Sequence, residues 1–222
     1  MINPQDFEPR RVDDCVFSHP NSKTLLEDLI AGTMPFPAFG KSGILLYGPP
    51  GTGKTTLANL LPDAIEAARS GEDSAYSNFC DCRHKTNGAQ YVAKIANWVE
   101  LVSLNRSGLH YMVLDEADNL TDTAQSQLKG VMNTRNTVFI LTSNHVDQIQ
   151  DAIRNRCHEI PMFAAQPVQW LGVVKSMISA AGLVPPPDQA LLPVIANGQG
   201  SARAIMTNAL EIALRARSQQ GA

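Results

Sequence analysis

The sequence lacks the features that mark secreted, membrane-spanning or autonomous nucleic-acid-binding proteins. No apolar run approaches the roughly 18 residues that a membrane span needs. The N-terminal segment contains Asp6 and Glu8 instead of an apolar stretch, so no signal peptide is expected. The 222 residues carry 18 Lys and Arg against 21 Asp and Glu, a net charge of −3, whereas autonomous nucleic-acid binders are usually basic. We expect a cytoplasmic protein without membrane contact. Any contact with DNA would have to come from local basic positions or from partner chains.

Cysteine is also scarce, with Cys15, Cys80, Cys82 and Cys157 as its four positions. A disulfide framework is not expected at this density in a chain without a secretory signal. Cys80 and Cys82, followed by His84, leave a zinc site open as an alternative. Structural zinc usually takes four ligands in two paired arms, and no second arm is evident. We therefore favour reduced, partly buried thiols.

Short apolar segments alternate with helical patterns through residues 1–163, which predicts a parallel sheet flanked by helices. Strands are predicted at residues 44–47, 75–80, 110–114, 138–142 and 158–163. Helices are predicted after Pro20 and at residues 57–68, 89–104 and 122–132. The continuous apolar run at 44–47 is typical of a strand buried on both faces. The fold class expected here is α/β, with five parallel strands.

The pattern becomes wholly helical after Phe163. A helix is predicted at residues 168–180, followed by a break at the three prolines 185–187. Asp188 is expected to cap the next short helix, which Pro193 should disturb or delay. Ser201 is expected to cap a last helix from residue 202 to about residue 217. The sequence therefore predicts two domains, an α/β domain at 1–163 and a small all-helical domain at 164–222.

One motif predicts a phosphate-binding site. Residues 48–55 read GPPGTGKT and match G-x-x-x-x-G-K-[ST] in full, after a predicted buried strand and at the start of a helix. Glycines let the backbone N–H groups of such a loop surround an anion at the helix N-terminus. Lys54 is predicted to reach the β- and γ-phosphates of ATP, and Thr55 to ligate Mg²⁺. The predicted nucleotide-binding residues are Gly48, Pro49, Pro50, Gly51, Thr52, Gly53, Lys54, Thr55 and Thr56.

Two further groups of polar residues follow predicted strands. Asp115 and Glu116 come after residues 110–114, at the sheet edge where ligands of such folds collect. Asp115 suits coordination of Mg²⁺ and Glu116 suits polarising a water, so with Lys54 they predict an enzyme that hydrolyses ATP. Asn144 follows residues 138–142, where its amide could hold the same water or the γ-phosphate. Asn also commonly ends strands without any such role.

Together these segments resemble the AAA+ ATPases, and within them the small ATPase subunits of DNA sliding-clamp loaders. Residues 114–121, LDEADNLT, with Ala124 and Gln125 on the helix that follows, resemble the family's D-E-A-D segment and its helix. The other matching segments are FILTSN at 139–144 (sensor 1), AIRNRC at 152–157 (the S-R-C segment) and GSAR at 200–203 (sensor 2). The resemblance covers residues 8 to 215 and implies a P-loop NTPase of AAA+ type with a helical lid.

The resemblance also implies roles for individual residues. Asn144 would be sensor 1, Arg156 the arginine finger for ATP bound by a neighbouring subunit, and Arg203 the lid residue that contacts the γ-phosphate. Arg154 remains the alternative finger. The implied catalytic set is Lys54, Asp115, Glu116, Asn144, Arg156 and Arg203, with Thr55 and Asp115 as Mg²⁺ ligands.

Partners are implied in the same way. They are other AAA+ subunits, in a homo- or hetero-oligomer, with DNA reached through the assembly and a sliding clamp as a further partner. Lys129 is similar in position to a family residue that couples DNA to the catalytic site. Arg83, with His84 and Lys85, forms a basic run on a loop that faces the central channel in this family. Solvated surface charge is the alternative for both.

Three features leave the assignment within the family open. The 222 residues offer no room for the further helical collar domain of clamp-loader subunits, Asn155 stands where the family has Ser, and no four-cysteine zinc module lies between the nucleotide motifs. The alternatives are a DNA-remodelling or helicase-like AAA+ motor and an assembly factor that ATP only stabilises.

Overall fold

A computed structural model describes residues 8–83 and 88–220. These residues form two compact units. The sheet unit consists of Asn21–Gly48 and Lys54–Pro161, and the helical unit of 8–20, Pro49–Gly53 and 162–220. The domain boundary expected between 163 and 164 stays a prediction.

The sheet unit contains five parallel strands, as predicted. They are β1 (Gly43–Tyr47), β2 (Ser77–Asp81), β3 (His110–Asp115), β4 (Thr137–Ser143) and β5 (Cys157–Pro161). Their order across the sheet is β2-β3-β4-β1-β5, and every neighbouring pair is parallel. All residues of β3 and β4 are buried, which explains their uninterrupted apolar character.

Five helices accompany these strands, namely α1 (Pro20–Ala31), α2 (Lys54–Ser70), α3 (Gly88–Val99), α4 (Asp122–Val131) and α5 (Asp151–Arg154). Helix α2 packs on β1, β3 and β4, and α3 packs on α4. Val92, Ile95 and Leu128 on α3 and α4 share one apolar core with Met112 and Phe139 of the sheet. The core therefore fixes the strands whose ends carry the predicted site.

Helix α3 ends at Val99, five residues before the predicted end at Leu104. Ser103 Oγ and Asn105 Nδ2 each donate a hydrogen bond to Leu109 O at 2.7 Å. Such side-chain bonds to the main chain compete with helical bonds. The apolar spacing was misleading because Val102 does not face the core: it is 91% exposed.

The helical unit contains α6 (Pro167–Ala180), α7 (Asp188–Asn197) and α8 (Ala202–Gln220), which confirms the three predicted helices. Trp170, Val174 and Leu191 are among its buried core residues. Ser201 Oγ accepts a bond from the N–H of Ala204 at 3.4 Å, as expected of a capping residue.

The start of α7 differs from the prediction. Pro187 is the capping residue and Asp188 is the first helical residue, without a side-chain cap. Pro193 lies inside α7 and does not end it. The N–H that Pro193 lacks would have bonded to Gln189 in the first turn, so the rest of the helix keeps its bonds. Within residues 8–83 and 88–220, no helix is long and apolar enough to cross a membrane.

A buried carboxylate that sequence analysis missed joins α2 to β3. Glu66 is fully buried and accepts hydrogen bonds from Ser70 Oγ at 2.7 Å, Ser107 N at 2.9 Å and Tyr111 Oη at 2.8 Å. Burial by itself raises the pKa of Glu66, but these bonds outweigh it and hold the pKa below its ordinary value. The charged form is therefore the one that the fold stabilises.

We predict that Glu66→Gln lowers the free energy of unfolding at neutral pH by about 1–3 kcal/mol, because the amide N–H₂ would face groups that donate. The wild-type carboxylate contributes fully above its ordinary pKa of 4.5, and this contribution is lost as the pH falls through the lower folded pKa. Urea unfolding at neutral and acid pH measures both effects. Tyr111→Phe, which removes one donor and keeps the charge, should retain the pH dependence. Equal stability of Glu66→Gln and wild type at neutral pH contradicts the prediction.

Candidate nucleotide-binding site

The predicted phosphate loop is shaped by glycines and by the start of α8. Gly51 and Gly53 have φ of 81° and 92°, in the left-handed region that favours glycine. A Cβ at Gly51 would lie 2.7 Å from Ser201 Oγ, and Gly51 O accepts a bond from the N–H of Ala202 at 2.8 Å. Gly51 thus has no room for a side chain beside Ser201, and its bond to Ala202 ties the loop to the start of α8 within the helical unit.

Helix α2 begins at Lys54, whose ammonium donates to Gly48 O at 2.8 Å and whose residue is 6% exposed. Burial lowers the pKa of Lys54, and the nearby carboxylates of Asp118, Asp115 and Glu116 oppose this shift. A poorly hydrated cation at a helix N-terminus suits the binding of an anion such as phosphate.

Thr55 and Asp115 meet at the end of β3. Thr55 Oγ1 donates to Asp115 Oδ1 at 2.8 Å, and Asp115 is buried. Octahedral Mg²⁺ with ligands at about 2.05 Å would separate adjacent ligand oxygens by about 2.9 Å. The two oxygens therefore fit Mg²⁺ as neighbouring ligands. Among the described residues, no cluster of three or more His, Cys, Asp or Glu forms a metal site.

Thr142 is a functional candidate that sequence analysis did not single out. Its hydroxyl, on β4, donates to Asp115 Oδ1 at 2.7 Å and accepts the N–H of Glu116 at 2.8 Å. One buried hydroxyl thus fixes both carboxylate residues. The sequence feature that could have indicated Thr142 is a hydroxyl residue at the polar end of an otherwise apolar strand.

Glu116 has an unusual backbone. Its φ of 54° and ψ of 49° are left-handed, a conformation that costs a non-glycine residue about 1–3 kcal/mol and is found at functional sites. Asn119 supports it, because its N–H donates to Glu116 O at 3.0 Å and its Nδ2 to Glu116 Oε2 at 3.3 Å. The carboxylate is thereby oriented by a neighbouring amide.

Asn144 and Arg203 belong to different units. Asn144 is half-buried and directly follows β4, at the same end of the sheet as Asp115. Arg203 is exposed in the first turn of α8. Neither side chain forms a hydrogen bond or ion pair within residues 8–83 and 88–220. Their expected roles stay predictions.

The two arginines of the S-R-C-like segment have different partners. Arg154 forms a bidentate ion pair with Glu159, in which Nε donates to Oε1 at 2.9 Å and Nη2 to Oε2 at 3.2 Å. Arg156 donates instead to neutral acceptors, Asn133 Oδ1 at 3.0 Å and Ala152 O at 2.7 Å. The charge of Arg154 is thus neutralised locally, whereas Arg156 has no carboxylate partner in the described part of the chain.

Arg156 lies at the opposite end of the sheet from Asp115. Cys157, which follows Arg156, pairs with Gly43 at the start of β1, whereas Leu46 pairs with Thr142, the partner of Asp115. Since Arg156 precedes Cys157, its separation from Asp115 is four residue steps along a strand and three strand spacings across, or about 20 Å in all. Arg156 therefore does not reach Asp115 of its own chain.

The candidate DNA-contacting residues are both exposed. Lys129 lies in the last turn of α4. Arg83 donates through Nε to both carboxylate oxygens of Asp81 at 2.9 Å, and this contact raises the pKa of Arg83. His84 and Lys85, the rest of the predicted basic run, lie outside the described residues.

The cysteines are free thiols. Cys80 and Cys82 are buried in the core of the sheet unit, with their sulfurs 3.9 Å apart. His84, the third member of the zinc alternative, lies outside the described residues.

A glycine-rich loop, a buried lysine and a Thr–Asp pair at the end of a parallel sheet define a P-loop nucleotide-binding protein. Residues 44–164 match the model of the ATPase family associated with various cellular activities (AAA), which is more than half of the 222 residues. The chain belongs to the AAA family.

Curated relatives include replication factor C small subunits. The chain is 30% identical to small subunit 2 of Pyrobaculum aerophilum over 212 residues, which cover 94% of this chain and 62% of that protein. It is 33% identical to small subunit 1 of the same organism over 156 residues, covering 69% of this chain and 44% of that protein. The chain thus spans about half of the length of these relatives.

Solved structures show the same fold. The RuvB Holliday junction branch migration motor of Thermotoga maritima aligns with a TM-score of 0.69 at 18% identity, covering 91% of this chain and 64% of that one. PCH-2 of C. elegans aligns with a TM-score of 0.64 at 16% identity, covering 95% and 71%. These similarities confirm the predicted AAA+ P-loop fold.

We predict that Thr142→Val lowers the free energy of unfolding by about 1–3 kcal/mol, since the N–H of Glu116 loses its acceptor inside the protein. Thr142→Ser keeps the hydroxyl and should lose less. Denaturant unfolding of the two variants compares them directly. Full stability in the valine variant, with a loss in the serine variant, would show that packing of the methyl group matters and the hydroxyl does not.

Proposed function

We propose that this protein is a clamp-loader-like ATPase, which couples hydrolysis of Mg-ATP to the assembly of a multi-subunit complex on DNA in replication or repair. The observation that carries this proposal is the 30% identity to a replication factor C small subunit over 94% of the chain. This chain spans 62% of that protein. The substrates and partners of this chain are therefore proposed together with its activity.

The chemistry proposed for the site is transfer of the γ-phosphoryl group to water. Lys54 and the N–H groups of the loop hold phosphate oxygens, while Thr55 and Asp115 hold Mg²⁺, which when bound neutralises phosphate charge. Glu116 orients the attacking water and takes up its proton, with Asn119 holding the carboxylate. Thr142 would hold the carboxylate of Asp115 and the main chain of Glu116 in place for these roles.

Arg156 is proposed to act on ATP bound by a neighbouring subunit. Its distance of about 20 Å from Asp115 of its own chain and its neutral hydrogen-bond partners support a role in trans. Arg154 is less suited, since Glu159 already neutralises its charge. An arginine from a neighbour stabilises transition-state charge, so hydrolysis would depend on assembly.

Four further residues have proposed roles in contacting the nucleotide or DNA. Asn144 would contact the attacking water or the γ-phosphate, and Arg203 would report the γ-phosphate to the helical lid. Lys129 and Arg83 would contact or sense DNA in the assembly, and Arg83 would first have to leave Asp81. The assembly would contain other AAA+ subunits and act on a sliding clamp.

We predict that Glu116→Gln retains ATP binding and loses turnover by at least about 100-fold, because an amide cannot take up the proton of the attacking water. Equilibrium binding of a fluorescent ATP analogue and steady-state phosphate release measure the two properties. Asp147→Asn, an exposed acid-to-amide change outside the site, is the control. Unchanged turnover in Glu116→Gln would disprove the role of Glu116.

We also predict that primer–template DNA and a sliding clamp together raise the turnover of the protein assembled with its co-purifying subunits. Arg156→Ala should remove this stimulated rate and leave nucleotide affinity unchanged, because the finger acts across the subunit boundary. Arg106→Ala, which removes an exposed arginine paired with Glu72, is the control. Stimulation by DNA with no further effect of the clamp would favour a DNA-remodelling motor instead.

A further inference from the structure

The ammonium of Lys41 contacts the main chain on both sides of Arg156. Its Nζ donates to Cys157 O at 2.6 Å and to Asn155 O at 3.3 Å. Lys41 forms no ion pair with a carboxylate within residues 8–83 and 88–220. Charge-assisted hydrogen bonds are stronger than neutral ones, so the lysine restrains these two carbonyl groups.

The residues after Lys41 hold the carbonyl of Arg156 itself. The N–H groups of Ser42 and Gly43 donate to Arg156 O at 3.0 and 2.9 Å. A Cβ at Gly43 would lie 3.3 Å from Arg156 O and 2.4 Å from Cys157 Sγ, so the two segments approach as closely as glycine permits. Three consecutive carbonyls, at residues 155–157, are therefore bound by residues 41–43.

Lys41 is itself carried on a closed turn. Ala38 and Lys41 exchange two main-chain hydrogen bonds, of 3.0 and 2.9 Å. Phe39 and Gly40 between them have φ of 52° and 77°, as a two-residue hairpin turn with a left-handed centre requires. The turn thus holds the main chain of Lys41 in place. Its side chain can therefore keep the ammonium at the carbonyls of residues 155 and 157.

The guanidinium of Arg156, by contrast, is held by exchangeable contacts. Its acceptors, Asn133 Oδ1 and Ala152 O, are neutral, and phosphate oxygens would replace them with stronger charge-assisted bonds. The position of the Arg156 main chain then determines which atoms its guanidinium can contact. A misplacement of about 1 Å in a catalytic group can lower a rate by about 100-fold.

We propose that Lys41 is a positioning residue for Arg156, which fixes the main chain from which the guanidinium reaches the nucleotide of a neighbouring subunit. This inference rests on the proposed function, in which Arg156 acts in trans. Lys41 itself does not contact the nucleotide.

The test compares Lys41→Met with Lys41→Arg in the assembled protein. Lys41→Met should lower the assembly-stimulated kcat by about 10- to 100-fold at unchanged KM for ATP. Lys41→Arg, whose guanidinium can still donate to two carbonyls, should restore most of the rate. Lys23→Met, which removes a partly exposed lysine of α1 paired with Glu27, is the matched control and should behave as wild type. If Lys41→Met does not fold, as judged by its thermal unfolding curve, Lys41→Gln takes its place with the same expectation.

A double variant separates the two proposals. Lys41→Met with Arg156→Ala should be no slower than Arg156→Ala alone, because Lys41 acts only through Arg156. If Arg156→Ala leaves the stimulated rate intact, the proposed function fails. If Arg156→Ala lowers the rate but Lys41→Met does not, or the double variant is slower than Arg156→Ala, the positioning role of Lys41 is overturned.

Discussion

A single carboxylate oxygen, Oδ1 of Asp115, joins the elements of the candidate site. It accepts hydrogen bonds from Thr55 on α2 and from Thr142 on β4, while Asp115 itself ends β3. Three elements of the sheet unit are thus held to one atom. The hydroxyl of Thr142 also accepts the N–H of Glu116, so it links Asp115 to the left-handed residue that carries the second carboxylate. Side chains arranged in advance in this way need little reorganisation during reaction.

The two ends of the parallel sheet carry different groups of candidate site residues. Its carboxyl end gathers Asp115, Thr142 and Asn144, whereas its amino end holds Arg156 beside Gly43. Arg156 and Asp115 therefore lie at opposite ends of one sheet and are not neighbours within the chain. This separation is the physical basis for the proposal that Arg156 acts on a nucleotide bound by another subunit.

Sequence alone predicted those parts of the fold and site that local patterns determine. The loop at 48–55 and the alternating strands follow from spacing and apolar runs, and the structure confirms the parallel sheet. The end of α3 at Val99, the left-handed Glu116 and the contacts of Thr142 and Glu66 were not predicted. The contacts of Glu66 and Thr142 join groups far apart in sequence, such as Glu66 and Tyr111, so no local pattern reports them. The end of α3 depends instead on local side-chain bonds to Leu109 O, which apolar spacing does not report. The roles proposed for Asn144, Arg156 and Arg203 would involve molecules outside the chain.

The bond between Ala202 N and Gly51 O, at 2.8 Å, has a mechanical consequence. It ties the first turn of α8 to the middle of the phosphate loop within the helical unit. Helix α8 has 19 residues, so its far end lies about 28 Å from this tie. A tilt of about 5° at the first turn would displace the last turn by about 2.5 Å over that length. Small movements of the loop would therefore be amplified into larger displacements at the far end of α8.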